Sequence, residues 1–593
     1  MAAEASAEGN PVASALRAAA AEPVPDVPPV VLESSGVLLI YGRDEKAIEA
    51  GKLLEPHLDV TVVIKPPVDL ASQAVNAFPV ALGNIRFANG HLGAFEVTVD
   101  DFAPPSAASI DTLSFRPPSD GAASRCDVIL DLSGGTPLFS APELRDGYLR
   151  ADPRDSAGTL EAIQKARDLV GVFEKPRYIA FTEHLCAHSR SRITGCTRCL
   201  DLCPAGAISP AGDHVSIDPN ICAGCGQCAS VCPTGAAAYA VLPSDVLMRQ
   251  LRLLLITYRE AGGTYPIVLI HDGSHRAAIV EALGELAGAG GFPERVLPLR
   301  VNEITQVGLE VIAAAFVFGA SAVRLLTRER PRHDISGLTR TLGLAEPILA
   351  GLGFGTARVS TIQTDDPDIL DAELRAIPRL EPAPHPSSFL PMGGDKRGVS
   401  RLVLRELHRA APAPVNVIPL PQQAPFGAVE IDVAGCTLCL ACVSACPTSA
   451  LRDNIDQPML RFAEDSCIQC GLCKATCPEK VITLRPQLDF RPTTASARIL
   501  KAEEPFCCIR CGKPFGIKST IERVLAKLTD QHWMFTGSTQ RLELVKMCDD
   551  CRVITVTEQN FDPHAPPRPP MRTTDDYLRE RAEREGPPPD DKT

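Results

Sequence analysis

The sequence predicts a multidomain protein that combines α/β and α+β folds, and three observations carry that prediction. At 593 residues the chain exceeds what one hydrophobic core can organise, so about three to five domains are expected. Residues 176–243 and 428–492 each hold eight cysteines and together form an internal repeat. Between Cys232 and Cys436 there is no cysteine, and apolar strand-like runs alternate there with helical ones.

The elements follow in order. Residues 1–33, rich in Ala and Pro, have neither an apolar signal core nor a twin arginine. Glu4, Glu8, Glu22 and Asp26 speak against a transit peptide, so a disordered leader is expected. In residues 34–175, Val37–Tyr41, Glu45–Leu54 and Val60–Ile64 read as strand, helix, strand, half of a Rossmann-like unit. The turn Gly42, Arg43, Asp44 lacks the glycine fingerprint that lets a backbone approach a pyrophosphate, so this Rossmann-like domain is degenerate. Ser133, Gly134 and Gly135 follow a second strand and read as an ordinary strand exit rather than a phosphate turn.

After the first cysteine module, residues 244–375 place strands at Pro266–Ile270, Arg295–Leu299 and Ala322–Leu326, as in an α/β domain with a parallel sheet. The string from His271 to His275 is best read as a turn after a strand. Residues 376–427 form a Pro/Ala-rich linker with one amphipathic helix near Val399–Ala410. Residues 493–560 form a further small domain behind the second module, and residues 561–593 are too polar to fold alone.

Composition excludes several functions. A formal charge of -13 argues against a nucleic-acid partner and suits docking onto basic patches of protein partners. No run of eighteen apolar residues is free of charges or breakers, so no membrane span is expected. Twenty-two cysteines in tight clusters mean metal rather than disulfides and place the chain in a reducing, cytoplasmic setting. No Ser-His-Asp, paired-carboxylate or P-loop pattern has convincing spacing, so an electron-transfer subunit is expected rather than a catalyst.

The second module contains Cys436, Cys439, Cys442, Cys446, Pro447 and then Cys467, Cys470, Cys473, Cys477, Pro478, two copies of C-x2-C-x2-C-x3-C-P. Three close thiolates wrap one cubane, and the fourth cysteine reaches the other. In a two-cluster ferredoxin arrangement, Cys436, Cys439, Cys442 and Cys477 would serve one cluster, and Cys467, Cys470, Cys473 and Cys446 the other. The first module has a complete motif, Cys222, Cys225, Cys228, Cys232, and an altered one, Cys196, Cys199, Cys203, whose expected first ligand falls on Ile193. Cys186, ten positions before Cys196, is favoured as the substitute through a looped insertion. The alternatives are His184 or His188 as an imidazole ligand, or a three-cysteine site holding a 3Fe cluster or an iron with an open position. With Cys186 the sets are Cys186, Cys196, Cys199, Cys232 and Cys203, Cys222, Cys225, Cys228.

Both segments resemble bacterial two-cluster ferredoxins, which implies small α+β dicluster modules and four 4Fe-4S clusters passing single electrons. The middle stretches IVLIHDGS, VLPLRVNEITQVGLEVIAAAFVFGASAVRLL and GTARVSTIQTDDP resemble the iron-sulfur subunit of methyl-viologen-reducing hydrogenase and heterodisulfide reductase. That family's 2Fe-2S site has no cysteines here, so the resemblance implies a scaffold or docking surface. The N-terminal half-Rossmann unit followed by a ferredoxin module resembles the heterodisulfide reductase flavoprotein subunit, but without the glycine fingerprint flavin binding does not carry over.

Cys508 and Cys511, then Cys548 and Cys551, make two knuckles of a zinc-ribbon-like site, with zinc favoured over a rubredoxin-type iron. The 36 intervening residues call for an inserted helix, expected at Ser519–Leu528. Cys507 is a spare neighbour, and Cys126 reads as a buried apolar residue. The function expected is an electron relay for a formate dehydrogenase, hydrogenase or heterodisulfide-reductase-like partner. The other readings are a flavin- or nucleotide-binding oxidoreductase subunit and an assembly factor for a redox enzyme.

Overall fold

The structure is a computed structural model. It describes residues 10–67, 75–107, 109, 113–273, 275–286, 293–390, 394–454, 457–531, 535, 539–558 and 573–585. The segment expected as a disordered leader differs from that expectation in its described part. Pro11–Ala20 is a helix, α1, started by Asn10, whose side chain accepts from the Val12 and Ala13 amides. Alanine is the best helix former and small enough for close packing, and Ala15 and Ala19 are buried in the core of the central domain. Pro29–Ser34 is a strand, β1, which ends up paired with a strand far along the chain, as described below.

The N-terminal sheet contains β2 (Val37–Gly42), β3 (Asp59–Ile64), β4 (Val80–Asn89), β5 (Phe95–Ala103), β6 (Ala122–Cys126), β7 (Val128–Leu132) and β8 (Tyr148–Arg150). Their order is β6-β5-β4-β3-β2-β7-β8, with β5 and β6 added antiparallel to an otherwise parallel set. Helix α2 (Glu45–Leu54) crosses from β2 to β3, and α3 (Ser156–Arg167) follows β8. Both helices cover one face, where Ile48, Leu54, Ile163 and Ala166 meet Leu38, Ile40, Val60 and Val62. The other face is closed by Phe139 and Tyr148, with Cys126 buried among them. Asp44 caps α2 by accepting from the Lys46 amide, so a carboxylate occupies the helix end that a phosphate would need. The strand β9 (Gly171–Pro176) then pairs antiparallel with β1.

In the first cysteine module β10 (Ile179–Phe181) is paired later with β15, and two hairpins follow: β11 (Ser189–Arg190) with β12 (Ile193–Thr194), and β13 (Ile208–Ala211) with β14 (His214–Ile217). The short helix α4 (Gln227–Val231) leads to β15 (Ala237–Tyr239). The central domain opens with α5 (Ser244–Glu260), whose Leu247, Leu251, Leu254, Leu255 and Tyr258 repeat at helical spacing and are all buried. Its sheet is built from β16 (Ile267–Asp272), β17 (Val296–Val301), β18 (Ala322–Thr327) and β19 (Val359–Gln363) in the order β17-β16-β18-β19, all parallel. Helices α6 (His275–Leu286), α7 (Leu309–Val317), α8 (Ser336–Gly351) and α9 (Pro367–Ala376) connect and follow the strands. His271 and Asp272 are buried at the end of β16, while Ser274 lies outside the described residues.

In the Pro/Ala-rich segment, α10 (Lys396–Ala410) buries Val403, Leu404 and Leu407 at 0–1 % exposure in the central core, worth about 1.5–3 kcal/mol each in transfer terms. The second module has β20 (Val417–Pro419), β21 (Gly427–Ile431), α11 (Ala441–Ser444), β22 (Leu451–Arg452), β23 (Met459–Phe462), α12 (Leu472–Thr476), β24 (Ile482–Asp489) and β25 (Arg498–Ala502). Here β24 lies between β20 and β21, and β25 adds a third strand to the β22-β23 hairpin. The C-terminal part contains the hairpin β26 (Pro505–Cys507) and β27 (Pro514–Ile517), then α13 (Lys518–Gln531), α14 (Thr539–Val545), α15 (Asp549–Glu558) and α16 (Thr574–Glu585). In the segment expected as a disordered tail, α16 is an exposed helix with opposite charges four apart, Asp575 with Arg579 and Glu580 with Arg584. The remainder of residues 561–593 apart from Thr573 lies outside the described residues.

Candidate metal centres

Each cysteine loop begins at a fixed distance from a strand. Cys222 is the fifth residue after β14 ends at Ile217, Cys436 the fifth after Ile431, and Cys467 the fifth after Phe462. Cys186 is likewise the fifth after β10 ends at Phe181. In this register Cys186, not Ile193, corresponds to Cys436. Residues 187–195 are an added β-hairpin, closed by Ser191 (φ 51°) and Arg192 (φ 67°) in the two-residue turn that a twisted hairpin prefers. Hydrogen bonds from the Gly195 amide to the His188 carbonyl (2.7 Å) and from the Cys196 amide to the Ala187 carbonyl (3.0 Å) bring Cys196 back beside Cys186.

The other three loops curl through left-handed residues at matching places: Gly224 and Gly226, Leu438 and Leu440, Gln469 and Gly471. For Leu438, Leu440 and Gln469 that conformation costs on the order of 1–2 kcal/mol each. Strain repeated at the same loop positions fits a backbone shaped to wrap a cubane. Amide and side-chain N–H groups also reach sulfur: Ala207 to Cys203 (3.3 Å), Ala237 to Cys232 (3.5 Å) and Gln469 Nε2 to Cys467 (3.4 Å). Such bonds stabilise thiolate charge.

The buried thiols fall into four groups by the neighbouring cysteines that act on them. In set I, Cys225 is pushed up to about 12, first by burial and then by Cys203 and Cys222; buried Cys228 is raised by the same set. In set II, Cys199 is pushed up to about 12 by burial, then by Cys232, Cys196 and Cys186. In set III, Cys470 rises to about 11 through burial and then Cys467 and Cys446, with Cys473 raised beside them. In set IV, Cys442 rises to about 12 through burial and then Cys439, Cys436 and Cys477. Burying several thiols together opposes their ionisation, a cost that a bound metal would offset. His184 is exposed, and His188 is buried with Nδ1 3.1 Å from the Cys196 carbonyl.

The sets also lie within electrostatic reach of one another. Cys228 of set I feels Cys199 of set II, Cys470 of set III feels Cys196 of set II, and Cys473 of set III feels Cys442 of set IV. The adjacency therefore runs I, II, III, IV, across both modules. At the joint, a Cβ on Gly195 would fall 2.6 Å from Leu472 Cγ, so the added hairpin rests directly on α12. Set I is enclosed: Tyr178 packs on Gly224, Thr305 Oγ1 donates to the Cys225 carbonyl (2.5 Å), and Arg145 donates to the Ala205 carbonyl (2.5 Å). At the other end Cys439 is exposed.

Cys508, Cys511, Cys548 and Cys551 have their sulfurs within 4.8 Å of one another, the one such group of metal-binding side chains among the described residues. Zinc–sulfur bonds of ~2.3 Å in a tetrahedron imply sulfur separations of ~3.8 Å, and Cys511 and Cys548 stand 3.6 Å apart. Burial opposes the Cys508 thiolate, but the N–H groups of Cys511, Cys548 and Arg510 outweigh it and pull the thiol down to about 6. The architecture departs from a ribbon. The first pair sits on the β26-β27 hairpin, but the second lies at the start of α15, with Cys551 in its first turn. Asp549 and Asp550 beside them were the sequence signal for that helix start. Cys507 points out to solvent, whereas Cys508 is buried.

The strand-loop-helix repeats and convergent thiols define two iron-sulfur domains. Family models described as a 4Fe-4S dicluster domain match residues 193–236 and 435–482. The first match begins after Cys186. Among curated proteins, the chain is 27 % identical over 100 residues to the "Formate dehydrogenase-O iron-sulfur subunit" of Escherichia coli (strain K12), and equally to that of Shigella flexneri. The match covers 16 % of this chain and 33 % of each relative, so the chain spans about a third of their length. Together these findings support an iron-sulfur electron-transfer role. No helix among the described residues is long and apolar enough to cross a membrane.

Proposed function

We propose that the chain relays single electrons through four 4Fe-4S clusters, one on each thiol set, to or from a partner oxidoreductase. The observation that carries this reading is the close packing of Gly195 of the first module against Leu472 of the second, which sets Cys196 near Cys470. Two isolated ferredoxins would have no need of it. Each cluster, when bound, accepts and releases one electron. The chain's own residues bind the clusters through thiolates, lend N–H groups to sulfur, and exclude water by packing Tyr178, Tyr239 and Leu472 around the loops.

Cys186 is the fourth ligand of set II in this reading, supported by its register with Cys436 and by its place near Cys196, Cys199 and Cys232. The C-terminal four-thiol group holds zinc with no open position, and its role is folding. The partner is a formate-dehydrogenase-type enzyme, a proposal supported by the relatives' segment of similarity.

Metal and acid-labile sulfide analysis of anaerobically purified protein, with electron paramagnetic resonance before and after dithionite, tests the reading. The expected result is about 16 iron, about 16 sulfide and about one zinc per chain, with interacting reduced signals. About 15 iron, with a signal already present in the oxidised sample, would mean a 3Fe centre in set II and would remove Cys186 from the ligands.

A further inference from the structure

Sets II and III face a problem of charge. An oxidised cubane on four thiolates carries about −2, and two such groups side by side repel, more so once reduced. The joint between the modules carries cations placed against this repulsion. Arg198 lies between the set II ligands Cys196 and Cys199; its Nη1 is 3.5 Å from the Cys196 sulfur and its Nη2 donates to the Gln423 carbonyl (3.0 Å). Arg397, 9 % exposed, donates to the carbonyls of Asp465 (3.0 Å), Pro425 (2.7 Å) and the set III ligand Cys467. Its guanidinium also lies 4.5 Å over the Phe426 ring. Among the described residues neither arginine forms an ion pair with a carboxylate; Asp395, two positions before Arg397, acts on it less strongly than the set III ligand Cys467 does.

The neighbouring Lys396 grips the other module. Its ammonium donates to the carbonyls of Ala229 (2.5 Å) and Ser230 (2.8 Å), just ahead of the set II ligand Cys232, and pairs with buried Glu310 (3.3 Å). Consecutive residues in the first turn of α10 are thus tied to set II on one side and set III on the other.

We propose that Arg198 and Arg397 are positioning residues for electron transfer between the modules: their positive charge raises the reduction potentials of the clusters on sets II and III, while Lys396 fixes the gap. This rests on the four-cluster reading above. Redox titration of the full, cluster-loaded chain, followed by electron paramagnetic resonance, tests it. Arg198→Gln is expected to keep its iron and to shift one cluster's oxidised-to-reduced ratio about tenfold toward oxidised at fixed potential, about 59 mV for one electron. Arg198→Lys, which keeps the charge, is expected to retain most of the wild-type potential. The same contrast is expected between Arg397→Gln and Arg397→Lys; if Arg397→Gln sheds iron, the Arg198 pair decides alone. Gln and Lys variants of Arg198 that titrate alike, at unchanged iron content, would overturn the proposal. Wild-type protein with fewer than four clusters, or without interaction between its reduced signals, would instead defeat the four-cluster reading itself.

Discussion

Cys225 and Cys439 occupy the same place in their loops, the second cysteine of a C-x2-C-x2-C run, yet their surroundings are opposite. Over Cys225 lie Thr305 and Gln306 from the central domain, and Arg145 and Ser140 of the N-terminal domain hold the neighbouring loop at Ala205 and Pro204. Cys439 is exposed, and its loop is held from behind, where Lys501 donates to the Val433 and Cys436 carbonyls and Thr520 to that of Thr437. One ligand scaffold thus serves as an inner end and as an outer one. The difference was made not by the ligands but by what the rest of the chain stacks on them.

The sharpest way to test that contrast is to cut the row at two places. Cys186→Ala should remove the set II cluster, lowering iron by about four per chain and separating set I from any external acceptor. Cys439→Ala should remove set IV and leave the first module's spectrum intact; loss of signals from both modules in the latter variant would show that they load as one unit. Leu472→Ala, at a fully buried position under the hairpin, should cost about 2–5 kcal/mol in denaturant unfolding and weaken spin interaction across the joint. Arg145→Met would leave the Gly90 and Ala205 carbonyls without their donor. An expected loss of about 1–3 kcal/mol should appear as faster amide exchange around residues 204–206, while residues 436–446 stay unchanged. The smallest effect is expected from Cys507→Ser, which should retain one zinc per chain by metal analysis.

The cysteine spacing was readable because three of the four thiols of each set are close in sequence, and so was the α10 helix, from its amphipathic pattern. Cys186 was readable only as a preference, since a nine-residue hairpin hides its register; the count from Phe181 to Cys186 restores it. The joint was not readable at all. The Arg397 contact with the Cys467 carbonyl spans 70 positions, and no local propensity encodes such a pairing. Alanine misled in the other direction: α1 looks like low complexity, although a smooth Ala surface is what permits its close packing on α5.

That last feature bears on how the protein can be handled. Residues 10–34 are fastened twice, α1 onto the central domain and β1 onto β9 of the N-terminal domain, so they act as a strap between two bodies. Trimming this stretch as a dispensable leader would expose the face of α5 on which α1 packs and free an edge of β9 at once. A shortened version of the chain beginning at residue 35 should therefore aggregate or be clipped by proteases near residues 171–176, even with every cysteine in place.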